Sequence, residues 1–79
     1  MPVVLRVKGY RFGFYASDQD EPMHVHVKKG ARIAKYWLEP AVKLADNSDF
    51  RSHELNKIRR LVSRHREYLI EAWHEFFRD

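Results

Sequence analysis

An α+β fold is what this chain of 79 residues predicts: an antiparallel meander of four to five strands, built from two hairpins plus a short strand, with one long C-terminal helix packed on one face. Three observations lead there. Val3 to Tyr15 and Met23 to Leu38 each alternate apolar and polar residues about a central Lys-Gly pair, as β-hairpins do. Between them lies a short polar, acidic loop. From about Ser52 the apolar spacing changes from two to the helical period. A sheet with one apolar face and a helix with one apolar stripe can bury each other, which makes residues 1–79 a single domain, with sheet in 1–45 and helix in 52–79.

The first hairpin turns at Lys8-Gly9, where glycine supplies a positive φ. That turn pairs Val7 with Tyr10, Leu5 with Phe12 and Val3 with Phe14, so one face is wholly apolar and the other carries Val4, Arg6, Lys8, Arg11, Gly13 and Tyr15. The second hairpin, read by the same rule with a turn at Lys29-Gly30, pairs Val25 with Ala34, His26 with Ile33 and His24 with Lys35. Its core face holds Met23, Val25, Val27, Ala34, Tyr36 and Leu38; its open face holds His24, His26, Lys28, Ile33, Lys35 and Trp37. Pro40 ends the fourth strand, Ala41 to Ala45 forms a short fifth, and Asp46-Asn47-Ser48-Asp49 has the composition of a turn.

Ser52 is a suitable N-cap, with Glu54 favourably placed in the first turn. Leu55, Ile58, Val62, Leu69, Ala72, Trp73 and Phe76 fall on one stripe, and no Gly or Pro interrupts the run. His65 lies on that stripe as a core or boundary residue, whereas His53 and His74 are surface positions. Charge along the helix opposes its dipole. Six Lys/Arg lie between Arg51 and Arg66, and four acids between Glu67 and Asp79.

A domain of this size buries only about 60% of the surface its unfolded chain exposes, so its net stability is a few kcal/mol and a partner is expected, a second copy included. Without cysteine there is neither a disulfide framework nor a thiolate zinc site. No stretch approaches the roughly 20 apolar residues of a membrane span, and none has the pattern of a signal peptide, so a cytoplasmic protein is expected. The formal net charge of +4 resides in residues 1–36, which hold seven Lys/Arg against three acids. That points to anionic partners, nucleic acid first.

The chemistry centres on Pro22-Met23-His24-Val25-His26-Val27-Lys28, whose alternation puts both imidazoles and the ammonium on one side of the sheet. Arg6, Lys8, Arg11, Lys28, Tyr15 and Trp37 share that open face, and no acid lies within either hairpin. Cations interleaved with aromatics make a platform for phosphates and stacked bases. The bland alternative is a solvated face on which lysines discourage edge pairing. His24 and His26, near pKa 6.5, suit proton transfer at an RNA 2′-hydroxyl, with Lys35 stabilising charge on the phosphorus oxygens. As metal ligands they need a further donor, and only Asp18, Asp20 or Glu21 stand near in sequence. The lysine-rich surroundings repel a cation, so no metal and no cofactor is expected. As structural residues the two histidines would hold the preceding loop by hydrogen bonds.

The pattern Phe12-x-Phe14-Tyr15, Asp18-x-x-Glu21-Pro22-x-His24-Val25-His26-Val27, Lys35-x-Trp37-Leu38-x-Pro40 and Glu71-Ala72-Trp73 resembles a family of small bacterial domains of unknown function. Many members carry Pro-Pro-His where this chain has Pro22-Met23-His24. Their genes often sit beside that of another small domain, in pairs that look like toxin–antitoxin modules. The resemblance therefore implies a cytoplasmic bacterial protein with a cognate small partner encoded by the adjacent gene. The expected function is a toxin-like component acting on or binding RNA through the basic face, as a metal-independent ribonuclease if it is an enzyme. Its rival is a non-enzymatic interaction module, antitoxin-like or regulatory, that docks the partner.

Overall fold

A computed structural model of the chain describes residues 1–78. Five strands follow one another as an antiparallel meander: β1 (Val3–Val7), β2 (Tyr10–Gly13), β3 (His24–Lys29), β4 (Arg32–Trp37) and β5 (Lys43–Ser48). A 3₁₀ turn, Ala16–Asp20, joins the hairpins, and two helices close the chain, α1 (Ser52–Arg64) and α2 (Arg66–Phe76). Among the described residues no helix is long and apolar enough to cross a membrane.

The apolar faces fall where alternation puts them. Tyr10, Phe12, Phe14, Val25, Val27, Ala34, Tyr36 and Leu38 are buried, together with Ile58, Leu61, Val62, Leu69 and Trp73 from the helices. Tyr36 ties the two layers together, since its hydroxyl donates to the Leu55 carbonyl at 2.8 Å. Burial pushes that hydroxyl up to about 12. Its folded value lies above the unfolded one, so the stability it contributes is present below about pH 10 and is lost as pH rises toward 12. Tyr36→Phe is expected to cost about 0.5–1.5 kcal/mol at neutral pH. Melts between pH 9 and 11.5 should decline less steeply in that variant than in the parent. Equal declines would place the alkaline loss elsewhere.

Register departs from expectation in the second hairpin. The turn residues are Gly30-Ala31, not Lys29-Gly30, so His24 faces Trp37 and His26 faces Lys35. Gly30 has φ +61° at the first central position, as a type II′ turn requires. In the first hairpin Lys8 and Gly9 have φ +51° and +84°, the type I′ arrangement, with glycine second. Moving the turn by one residue moves the pairing by two, so every side chain keeps its face.

Two bulges supply the other differences. Val3 pairs with Gly13, not Phe14, and the register shifts between Val3 and Leu5, which brings Val4 against the core. A Cβ on Gly13 would overlap the Pro2 carbonyl oxygen, so the N-terminal segment lies directly over this glycine. The fifth strand spans Lys43–Ser48 rather than 41–45; Lys35 pairs with Asp46 and Tyr36 with Leu44, leaving Ala45 as the extra residue. The turn follows at Asp49, with φ +75°, where the Asn47 carboxamide accepts from the Phe50 N–H and donates to its carbonyl.

The expected single helix is two. At His65 the backbone leaves helical geometry (φ −103°, ψ 15°), although its N–H still reaches the Leu61 carbonyl and its carbonyl the Leu69 N–H. Strands of four to six residues span about 13–20 Å, whereas a straight helix over 52–76 would run about 37 Å and overhang the sheet. The bend is held by Arg66, whose Nε donates to the Leu38 carbonyl at 2.7 Å. It lets Trp73, Phe76 and Phe77 gather around Phe14, at ring-centre distances of 5.4, 5.6 and 6.3 Å. The last position of the expected helix, Asp79, lies outside the described residues.

Candidate functional site

Laid across the strands, the open face resolves into rows. One row reads Arg6, Arg11, Lys28, Ile33 and Ser48. The next reads Val3, Gly13, His26, Lys35 and Asp46, and beyond it His24 faces Trp37, which faces Lys43. The first row is basic over three adjacent strands. Like charges directly opposite one another destabilise a sheet unless something anionic answers them. Among the described residues none of Arg6, Arg11 and Lys28 forms a carboxylate ion pair. Lys8 stands at the adjacent turn and shares a hollow with Lys57, Arg60 and Arg64 of α1, over the buried Leu61. The basic first half of the helix thus adjoins the basic end of the sheet.

The second and third rows behave differently. His24 has no exposed surface, contrary to the expectation that both histidines face solvent. Its imidazole packs edge-on against the rings of His26, Trp37 and Trp73, at 5.0, 5.6 and 5.3 Å between centres. The reason is the bend at His65, which carries the Trp73 indole to this end of the sheet. Periodicity within β3 holds no information about that contact. His26 is half-buried, with the Tyr15 ring edge-on at 4.7 Å.

Asp18, in the 3₁₀ turn, is the residue that joins them. One carboxylate oxygen, Oδ2, accepts from the Tyr15 N–H at 2.7 Å and from His26 Nε2 at 3.0 Å. The other, Oδ1, lies 3.2 Å from His24 Nε2. Burial pushes the Asp18 carboxyl up, but the Tyr15 N–H and then the His26 imidazole outweigh it and hold the group below its ordinary value. His26 is held below the usual imidazole value, first by its own burial and further by His24 and Lys35, against the pull of Asp18. At its other nitrogen, His24 Nδ1 donates to the Pro22 carbonyl at 2.8 Å. Both histidines therefore fix the loop that precedes them, as the structural reading expects.

Lys35 does not stand free. Its ammonium is ion-paired with Glu21 and lies over the Trp37 ring, 4.7 Å from the centre. With Asp46 opposite it and Asp18 beyond His26, this half of the face is mixed in charge rather than uniformly positive. The expected catalytic set of His24, His26 and Lys35 is thus drawn together but tied down. One imidazole is sealed, one half-buried, and the cation is neutralised by a carboxylate. Tyr15 and Trp37, expected to stack bases, are half-buried and turn their rings to the imidazoles. Asp18 was visible in the sequence only as one of three nearby acids; its bond back to the Tyr15 N–H, the acidic half of a capping box, is the local signal that singles it out.

No curated protein and no solved structure matches the chain. Residues 9–74 match the family model described as a domain of unknown function, DUF4160. That segment contains the second hairpin, the Asp18–His24–His26 cluster and Trp73, and the chain belongs to this family.

Proposed function

We propose that the protein is an RNA-contacting, toxin-like component of a two-gene module, and that Arg6, Arg11 and Lys28 carry the contact. The supporting observation is the row itself: three cations side by side on adjacent strands, without a carboxylate answering them among the described residues. An RNA backbone supplies regularly spaced phosphates and relieves their mutual repulsion. Lys8, with Lys57, Arg60 and Arg64, extends the basic track past the hairpin turn onto α1.

Affinity for a single-stranded RNA should fall steeply with salt, with a slope near −2 in log–log form if about three phosphates are neutralised. Arg11→Glu is expected to weaken binding at least tenfold without lowering the thermal melt, because a glutamate there would face Arg6 and Lys28 across the strands and relieve their repulsion. Binding that ignores salt, or survives Arg11→Glu, would remove the proposal. Growth inhibition by this chain, relieved by the product of its neighbouring gene, is the matching test of the toxin role.

A second reading, docking of the cognate partner protein, is favoured by the edge of the sheet at β1. There Val4, Tyr68, Ala72 and Phe76 line a largely apolar groove flanked by Glu71 and Glu75. Tyr68 is 53% exposed and donates its hydroxyl to the Val4 carbonyl at 2.9 Å. Complex formation with the neighbour that resists salt and is lost in Tyr68→Ala would support this reading.

A further inference from the structure

The geometry points to a divalent transition-metal site, of the zinc type, formed by Asp18, His24 and His26. Four observations carry it. The three side chains each offer a donor atom, and those atoms lie within 4.8 Å of one another. Two contacts, 3.0 Å from His26 Nε2 to Asp18 Oδ2 and 3.2 Å from His24 Nε2 to Asp18 Oδ1, one at each carboxylate oxygen, are slightly shorter than the ligand–ligand separation of a tetrahedral site. With zinc–ligand bonds of about 2.0–2.2 Å, that separation is about 3.3–3.6 Å. The cluster is enclosed, since the His24 side chain is fully buried and that of Asp18 is 8% exposed.

The fourth observation is the tautomer of His24. A carbonyl oxygen only accepts, so the bond to Pro22 O puts the proton on Nδ1. In the neutral ring Nε2 then bears a lone pair. That atom is buried, has no hydrogen-bond partner, and lies beside a carboxylate oxygen. Lone pair against carboxylate is repulsive unless a cation stands between them. An imidazole whose second nitrogen donates to a backbone carbonyl is the usual state of a metal-ligating histidine. Two imidazoles and one carboxylate suit zinc, cobalt or nickel better than magnesium or calcium, which take oxygen ligands. Pairing of Lys35 with Glu21 removes the charge that would have repelled the ion. Three protein ligands leave a fourth position for water. Bound there, the ion would clamp the 3₁₀ turn to the start of β3, and the neutral His26 ring would carry its single proton on Nδ1, leaving the Nε2 lone pair for the ion.

The alternative is a purely protonic cluster, in which a second proton on His24 answers Asp18. Untagged full-length protein, stripped with chelator and titrated with Zn²⁺, separates the two. One equivalent should bind and raise Tm by roughly 10–20 °C at a hundredfold excess over Kd, with no effect from Mg²⁺. Co²⁺ in its place should give the visible absorption of a tetrahedral nitrogen–oxygen site. Asp18→Asn and His26→Gln should each lower zinc affinity at least tenfold, whereas His53→Gln, at an exposed position, should not. His26→Gln, half-buried, keeps the comparison usable if Asp18→Asn does not fold. The inference is overturned by substoichiometric zinc, by affinity unchanged in His26→Gln, or by NMR showing both nitrogens of His24 protonated in protein that takes up no metal. RNA binding plays no part in these readouts, so the site stands or falls separately from the basic row.

Discussion

Trp73→Ala is expected to cost about 3–5 kcal/mol, most or all of what holds so small a domain together. The indole is 7% exposed and meets three partners: Phe14 at 5.4 Å in a T-shaped contact, Phe77 at 4.4 Å and His24 at 5.3 Å. Truncation leaves a cavity where α2 closes over the end of the sheet. At about 4–8 °C of Tm per kcal/mol, a drop of more than 12 °C should be seen, with parent protein melted in parallel. Trp73→Phe should recover about half of the loss by keeping the contact with Phe14. Because Trp73 also covers His24, the alanine variant should increase access to that imidazole, readable as faster exchange of its ring protons. A loss under about 1 kcal/mol would show that the end of α2 is not part of the core.

Gly13→Ala should be the second most damaging change, at about 1–3 kcal/mol. No unusual φ is involved. The new Cβ would overlap the Pro2 carbonyl oxygen and lie 3.0 Å from Met1 Cγ, so the N-terminal segment must move off the sheet. Since Val3 pairs with Gly13, that displacement should loosen the first turn of β1 and spare its far end, where Val7 pairs with Tyr10. Hydrogen exchange should accelerate at Val3 and Val4 while Val7 stays protected. The same substitution at Gly30 meets no atom within 4 Å, so any cost there comes from its φ of +61° alone. If Gly13→Ala melts with the parent, the segment over Gly13 is not docked as described.

How much of the candidate site was legible beforehand differs residue by residue. The basic row was visible as cations on one side of two hairpins, because face assignment needs only the period of two. That Arg6 aligns with Arg11 also required the register, which the first hairpin's Lys8-Gly9 turn set correctly at Val7–Tyr10 and Leu5–Phe12, whereas Lys28 stands opposite Arg11 through the pairing of β2 with β3, which no turn in the sequence sets. The histidines were singled out, but their surroundings were not. Asp18 is linked to them by a turn folded back over β3, and Trp73 comes from 49 positions further along the chain than His24. No local pattern records either contact.

By itself, then, the chain's sequence determined what local chemistry can determine: two hairpins, the side on which the strand residues away from the bulges stand, a helical C-terminal third, and a basic surface. Alternation and helical spacing are properties of neighbours, and they survive any rearrangement that keeps the faces intact. The tertiary structure alone decided the pairing within the second hairpin, the bulges at Val4 and Ala45, the bend at His65 and the burial of His24. The turn is the first case: Gly30 fits either central position of a tight turn, and only the summed cross-strand contacts choose between registers two residues apart. The bend is the second. A run without Gly or Pro is compatible with a straight helix, and it yields only because the sheet beneath is shorter than the helix that must cover it.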